Sequence, residues 1–487
     1  MPPKYRVFLA VLLGICSMLT VRGLSVSRAR FVRAGFQLSR LLQDRRILDP
    51  ENTETVSQYY LLENLTVGLV RDSNRAPSGY GPGLAQSWTR ESPTRWVFSL
   101  RPGLKWSDGS TITPEEVSTH MESFRGGKHR HTTYLKKLSR ATVDGNRLIL
   151  DFQTPADESL IHELTLADTG LLHPRNRESD WSIVSGPFSV ESYEIGKRLL
   201  LRRNPYYRTE VDYPKTVELV NVSADTDPDS IDPTAYDVLA VPPPIFYEGN
   251  QRLIARAEKV LKGYPTGIYY LSFRGKSPLW KDVEARRELA SLVEDALTSP
   301  PGNDAIRERQ FVPEGFAGRL ESPPVWRNLP MRRIAGKRLK VHVQPTLART
   351  TPILEALRLR GAKNHIEFDV ESSATHSLSE AADVCLSCFA GNQRDAIGSW
   401  QFLFSSGTGP LAAFRNEAKP YFDRWVATKD PAQREEVLHR LHEQVLKNVY
   451  GIPLFIEPAV ILTSSRVDLS NINRFDMRLR FYEIFWK

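Results

Sequence analysis

Apolar side chains take every second position along residues 95–100, where Trp96, Phe98 and Leu100 alternate with their neighbours. A period of two is typical of a strand that buries one of its faces. The Pro-Gly pair at 102–103 ends this strand, because both residues favour turns over sheet. The pattern therefore predicts a half-buried strand that closes in a turn.

A helix start follows a second turn, which is formed by Ser107-Asp108-Gly109. Thr113 is an N-cap candidate, Pro114 suits the first helical position, and Glu116 completes a capping box. The sequence thus predicts a short strand, a turn and a helix that begins at Pro114.

The rest of the chain mixes the periods of strands and helices without any repeat at a fixed spacing. Strands joined by hairpins occur beside strands followed by helices, which indicates an α/β protein with mixed sheets. The predicted elements are a hairpin at 141–153, strands at 269–273, 337–343 and 382–389, and helices at 283–297, 351–360 and 430–447.

Bulk composition is that of a soluble globular protein long enough for about three domains. The 65 Lys and Arg against 57 Asp and Glu give a net charge of +8, and no run of five or more basic residues occurs. We therefore do not expect nucleic-acid binding. Cys385 and Cys388 lie on one predicted strand and point to opposite faces, which disfavours a disulfide between them.

The N-terminal segment reads as an export signal. Lys4 and Arg6 precede an apolar run from Val7 to Val21 that is short for a membrane span. Cys16 lies in a sequence similar to a lipoprotein box, although Ile15 departs from the small residue expected there. A periplasmic or other extracytoplasmic location is expected, with a retained membrane anchor as the alternative to cleavage.

Catalytic and metal-binding motifs find little support. The chain has no Gly-x-Ser-x-Gly elbow, phosphate-binding glycine loop or His-Glu-x-x-His motif. His439 and His442 are one helical turn apart and are expected on a solvated helix face. His129 and His131 alternate with basic residues in a predicted loop, which favours solvent exposure over a cation site. No enzyme activity, metal or cofactor is expected.

Residues 95–117 resemble a signature of the family 5 extracellular solute-binding proteins, the oligopeptide- and dipeptide-binding class. That signature runs W-x-F-x-L-R-x-G-V-K-F-x-D-G-x-P-x-T-A-E-D-V. Further segments are similar to family motifs in the same order along the chain. They are 48–50 (L-D-P), 83–88 (P-x-L-A-E-S-W), 185–188 (G-T-G-P-Y), 202–207 (L-x-R-N-P-x-Y) and 451–455 (I-P-L-Y).

The resemblance implies an α/β, two-lobed periplasmic-binding-protein-like fold with mixed sheets, a hinge and an extra N-terminal subdomain. A ligand would bind in the cleft between the lobes. The expected boundaries are 1–29 for a signal peptide or membrane anchor, 30–70 with 186–268 and 457–487 for lobe I, 71–185 for a satellite subdomain of lobe I, and 269–456 for lobe II.

Residues 389–407 carry the site prediction, through similarity to the family's W-x-A-D-Y-x-D-P-x-x-F-L-x-x-F. Aligning Phe402-Leu403 with F-L places Asp395 at the first aspartate, which in peptide-binding relatives receives the ligand's α-ammonium. The family's tyrosine, second aspartate and proline are replaced here, so a surface-loop aspartate is the alternative. Arg394 is the other candidate charged contact and would suit an anionic ligand.

Three aromatic residues are further candidates to line the cleft: Trp400, Tyr269 and Tyr270. Ligand pockets favour rigid aromatic side chains, and core packing is the competing interpretation of each.

By resemblance, the protein captures a peptide or peptide-like solute and passes it to the permease subunits of an ABC importer, without covalent chemistry. It is expected to be a monomer. The alternative is a solute-binding fold that acts as a sensor or regulator without transport.

Overall fold

The computed structural model describes most of the chain between Phe31 and Trp486. Within the described part, no helix is both long enough and apolar enough to cross a membrane. The described residues are 31–36, 38, 48, 53, 56–73, 79–127, 132, 134–207, 209, 212–223, 226–273, 277–298, 304–343, 347, 350–372, 382–390, 396–404, 409, 411–428, 430–470, 472–474, 477–483 and 485–486.

The N-terminal part of the fold contains a small antiparallel sheet of four strands in the order β4-β5-β7-β6. The predicted strand is β5, and the predicted hairpin is formed by β6 and β7. The elements are β1 (Phe31–Phe36), α1 (Val56–Leu65), β2 (Val70–Asp72), β3 (Tyr80–Pro82), β4 (Ala85–Ser92), β5 (Arg95–Leu100), α2 (Pro114–Glu122), β6 (Leu138–Asp144), β7 (Arg147–Phe152) and α3 (Ser159–Glu163).

The predicted helix start is confirmed in α2. The N–H of Glu116 donates to Thr113 Oγ1 at 3.2 Å, and the N–H of Thr113 donates to Glu116 Oε2 at 2.8 Å. This capping box satisfies two backbone donors that the first turn leaves without partners. The helix begins at Pro114 as predicted.

The remaining elements alternate between strands and helices. The predicted helices are α5, α6 and α9. The elements are β8 (Phe188–Glu194), β9 (Arg198–Arg203), β10 (Thr216–Asn221), β11 (Val238–Ala240), α4 (Glu248–Ala255), β12 (Lys259–Phe273), α5 (Val283–Ala296), β13 (Ile306–Arg307), β14 (Arg338–Val343), α6 (Thr351–Ala362), β15 (Glu367–Ser372), β16 (Val384–Ala390), α7 (Ala396–Leu403), α8 (Arg415–Ala427), α9 (Pro431–Lys447), β17 (Gly451–Thr463), β18 (Val467–Asp468) and β19 (Phe485–Trp486).

A large mixed sheet runs through both lobes. Among the described strands its order is β15-β14-β16-β12-β17-β11-β1-β10-β9-β8, and β13 also pairs with β17. The β1–β10 and β14–β15 pairs are parallel, whereas β12 and β17 are antiparallel. The expected α/β class with mixed sheets is therefore confirmed.

The two longest strands, β12 and β17, connect the lobes. They pair from Lys259–Thr463 at one end to Ser272–Gly451 at the other. Towards the first end β17 also pairs with β11, and towards the second end β12 also pairs with β16. The register between β12 and β17 shifts around Pro265 and again after Tyr269. Each strand thus belongs to one lobe at its start and to the other at its end.

Separate hydrophobic clusters pack on the two sides of this connection. The lobe II cluster extends along the chain from Phe246 to Ile456, and the lobe I cluster combines residues from Val32 to Leu219 with residues near the C-terminus, such as Tyr482. A third cluster, the satellite cluster, covers the four-stranded sheet and α2. The fold is therefore two-lobed, with an additional N-terminal packing unit.

Candidate functional site

A buried polar cluster lies where β12 and β17 pass between the lobes. Glu457 of β17 is 4% exposed and pairs with Gly267 of β12 in the strand register. The Tyr269 hydroxyl donates to Glu457 Oε1 at 2.5 Å, and the N–H of Ile245 donates to Oε2 at 3.0 Å. One carboxyl therefore links both connecting strands to the segment that follows β11.

The environment of this carboxyl keeps it protonated at neutral pH. Burial raises the pKa of Glu457 to about 8, and the negative charge of Asp304 adds to this rise against the opposing effect of the donors. Burial also raises the pKa of the Tyr269 hydroxyl and of the neighbouring Cys388 thiol. Glu457, Tyr269 and Cys388 are neutral because a buried charge without a counter-ion would be costly in free energy.

Aromatic packing surrounds the cluster. The Tyr269 ring stacks on Phe455 with centroids 4.2 Å apart, and Phe246 meets Phe455 edge-on at 5.0 Å. Both contacts join residues from different parts of the chain. Tyr269 thus lies at the junction of the two lobes, with its ring held by stacking and its hydroxyl by Glu457.

All three predicted aromatics belong to the lobe II cluster, but the side chains of Tyr270 and Trp400 have other neighbours than Tyr269. Tyr270 is 1% exposed and meets Phe311 edge-on at 5.5 Å. Trp400 is 2% exposed and lies 5.3 Å from the ring of His442. All three rings are buried, and of the three it is Tyr269 that bonds to Glu457 at the lobe junction.

The expectation of a solvated helix face at His439 and His442 is wrong for His442, which is fully buried. Its Nε2 accepts the N–H of Phe311 at 3.0 Å, and its Nδ1 lies 2.9 Å from the carbonyl oxygen of Gly318. Burial lowers the pKa of His442 to about 3. The ring is a neutral connector between α9 and a distant loop, with both nitrogens in use.

The predicted charged contacts, Asp395 and Arg394, lie outside the described residues, as do His129 and His131. Strand β16 ends directly before that segment at Ala390, which pairs with Gly267 of β12. Among the described residues, no group of three or more His, Cys, Asp or Glu side chains could hold a metal ion. Neither Cys385 nor Cys388 is disulfide-bonded.

Sequence reasoning missed Glu457. Its signal was nevertheless present, because Glu457 is the one charged residue in β17, an otherwise apolar strand. A charged residue in a buried strand needs hydrogen-bond partners, and here they come from other strands and loops.

A comparison with protein-family models finds a match over part of the chain. Residues 79–297 match the model described as bacterial extracellular solute-binding proteins, family 5 Middle. The match covers a little under half of the chain, and over it the sequence is similar to family 5 solute-binding proteins. The resemblance seen in the motifs is confirmed.

Curated relatives are named as binding proteins. The periplasmic oligopeptide-binding protein OppA of Escherichia coli is 26% identical over 188 residues, which cover 33% of this chain and 34% of OppA. The chain thus matches about a third of the length of this relative.

Solved structures extend the likeness of the fold over nearly the whole chain. OppA of Haemophilus influenzae, solved in complex with the peptide RPPGFSPFR, has a TM-score of 0.77 at 15% identity and covers 94% of this chain and 99% of its own. MoaA of A. tumefaciens R10, solved with mannopinic acid, has a TM-score of 0.80 at 16% identity, with 94% and 99% covered. At this identity the likeness shows the two-lobed fold.

Proposed function

We propose that this chain captures a peptide or peptide-like solute outside the cytoplasm and delivers it to the permease of an ABC importer. The observation that carries the proposal is the connection of two separately packed lobes by β12 and β17. Register shifts in paired strands at a lobe junction are suited to hinge bending, and hinge closure around a ligand is the known behaviour of periplasmic binding proteins. The family match and the peptide complex of a similar fold support this function.

The proposed boundaries follow the family. Lobe I comprises 30–70, 186–268 and 457–487, the satellite subdomain 71–185, and lobe II 269–456, while 1–29 direct export. The hydrophobic clusters support this division in outline, with Trp181 and Val184 packing in the lobe I cluster and Phe246 in the lobe II cluster. The protein acts as a monomer without a cofactor.

The proposed ligand contact is Asp395, with Arg394 beside it. Support comes from the described end of β16, because Ala390 pairs with Gly267 next to the buried cluster of Glu457. The chain therefore leaves the sheet at the lobe junction just before Asp395. A carboxylate there would pair with a ligand ammonium in a cleft that closure shields from water.

The test compares Asp395→Asn with Asp423→Asn, a control on the exposed face of α8, by calorimetry. Native mass spectrometry of the purified protein first identifies the retained ligand, and a synthetic peptide of that sequence is then titrated. We expect Asp395→Asn to lose about 2–5 kcal/mol of binding free energy, because the ammonium is left buried without its partner. Asp423→Asn should bind as the parent does.

An N-acetylated form of the same peptide removes the ammonium. It should bind the parent weakly, and Asp395→Asn should not change its affinity. Equal affinity of the parent and Asp395→Asn for the free-amine peptide would contradict the role of Asp395. If the retained ligand is an anion without an amine, Arg394 replaces Asp395 as the proposed charged contact.

A further inference from the structure

The satellite subdomain and lobe II are also joined by an ion pair outside the two connecting strands. Asp157, which lies between β7 and α3, receives a hydrogen bond on Oδ2 from the Arg434 guanidinium in the first turn of α9. The two residues are 277 positions apart in sequence. Their side chains are 24% and 18% exposed, so the pair is largely shielded from water.

The carboxylate of this pair is held in place by its own subdomain. Tyr134, a member of the satellite cluster, donates its hydroxyl to Asp157 Oδ1 at 2.8 Å, and the N–H of Ser159 donates to the same atom at 2.9 Å. Burial by itself would raise the pKa of Asp157, but the bonds from Arg434, Ser159 and Tyr134 lower it. The carboxylate is therefore ionised in the pair, and Tyr134 and Ser159 of its own subdomain orient it.

The guanidinium is held in place by lobe II in the same way. Arg434 Nε donates to the carbonyl oxygen of Thr428 at 2.8 Å, and its guanidinium carbon lies 4.3 Å from the centroid of the Trp425 ring. Trp425 belongs to the lobe II cluster. Each half of the ion pair is thus fixed by a different hydrophobic core.

We propose that Asp157 and Arg434 form a latch that holds the satellite subdomain against lobe II when the lobes close. Neither residue is needed to touch the ligand. Rotation about β12 and β17 would separate the two residues, because each is anchored in its own unit. The latch raises ligand affinity by stabilising the closed state, and only this consequence for affinity rests on the proposed function.

The test measures the distance across this boundary. Spin labels are attached to Arg147→Cys on β7 and Lys419→Cys on α8, in a Cys16→Ser chain whose remaining cysteines, Cys385 and Cys388, lie in the sheet. Pulsed electron paramagnetic resonance then measures the distance between the two labels. The ratio of short to long distances is compared without ligand and with a tryptic digest of casein as the probe.

We expect Asp157→Asn and Arg434→Gln each to lower the ratio of short to long distances about threefold to tenfold, as for a partly buried ion pair. The double variant should add little to either change, since both substitutions remove one interaction. Arg440→Gln is the matched control, because its ion pair with Glu436 lies within α9 and is exposed. It should leave the distances unchanged.

Equal distance distributions in the parent and both single variants would overturn the latch. So would a change of equal size in Arg440→Gln. If the variants shift the distances but no casein peptide binds the parent, the latch stands and the proposed function fails. If peptides bind the parent and both variants with equal affinity and close them equally, the proposed function stands and the latch fails.

Discussion

The carboxyl of Glu457 makes the junction between the lobes sensitive to protonation. Its pKa is about 8 in the folded protein, against an ordinary value of 4.5. Between these two values the folded state binds a proton that the unfolded state has released. Linkage then requires the contribution of Glu457 to stability to be fully present at low pH and to decline as pH rises from about 4.5 towards 8.

We predict that Glu457→Gln removes this decline. Its amide oxygen can accept from the N–H of Ile245, and its amide nitrogen can replace Oε1 beside Tyr269, whose hydroxyl oxygen then accepts instead of donating. The parent should lose stability relative to Glu457→Gln between pH 5 and pH 8, by on the order of 4 kcal/mol, since each pKa unit is worth about 1.4 kcal/mol. Urea unfolding at several pH values measures the difference.

Glu436→Gln is the control for this prediction, because that carboxyl is exposed on α9 and paired with Arg440, which lowers its pKa. Above pH 5, the stability of this variant should depend on pH as that of the parent does. If the free energy of unfolding depended on pH in the same way in the parent and in Glu457→Gln, the raised pKa of Glu457 would be contradicted.

At the scale of residues, the sequence predicts contacts that are local and fails for those that are not. The capping box of Thr113 and Glu116 could be predicted because its partners are three positions apart. The burial of His442 could not be predicted, since its hydrogen-bond partner Phe311 is 131 positions away in sequence. Glu457 meets Tyr269 across 188 positions, so its role needed the fold.

At the scale of elements, Arg286 fixes the end of α9. Its Nε donates to the carbonyl oxygen of Asn448 at 2.9 Å, and its Nη1 donates to that of Trp280 at 2.6 Å. The guanidinium carbon lies 4.8 Å from the centroid of the Phe414 ring. The cation satisfies the carbonyl oxygen of Asn448 at the C-cap of α9 and is attracted by the negative end of the helix dipole.

We predict that Arg286→Lys destabilises the protein by about 2–3 kcal/mol, because a lysine cannot reach both carbonyl oxygens at once. Arg287→Lys is the matched control at the next position, where the side chain is 26% exposed and reaches the carbonyl oxygen of Lys447. It should cost less than about 1 kcal/mol. Urea unfolding compares the two, and equal losses would contradict the capping role of Arg286.

Elements with a strong period were predicted more accurately than the connecting strands. The helix predicted at 283–297 is observed at Val283–Ala296, and its periodicity alone was sufficient. The strand predicted at 269–273 is the last third of β12, which begins at Lys259. Gly263 and Pro265 interrupt the strand pattern there, and pairing with β17 overrides that local signal.

At the scale of the whole molecule, the two-lobed architecture could be predicted through the family motifs but not from periodicity. Lobe I is assembled from segments at both ends of the chain, as the contacts of Asn64 with Leu479 and Phe481 show. No local pattern encodes such contacts. The site segment at 391–395 differs from the family motif, so its role remains the proposal made above.

Capture of a ligand by lobe closure is the central claim, and small-angle X-ray scattering tests it most directly. The scattering of the protein freed of retained ligand is compared with that of the protein saturated with the peptide identified by mass spectrometry. Closure about β12 and β17 predicts a smaller radius of gyration in the loaded protein. An unchanged radius, with binding confirmed by calorimetry on the same sample, would contradict a closing cleft.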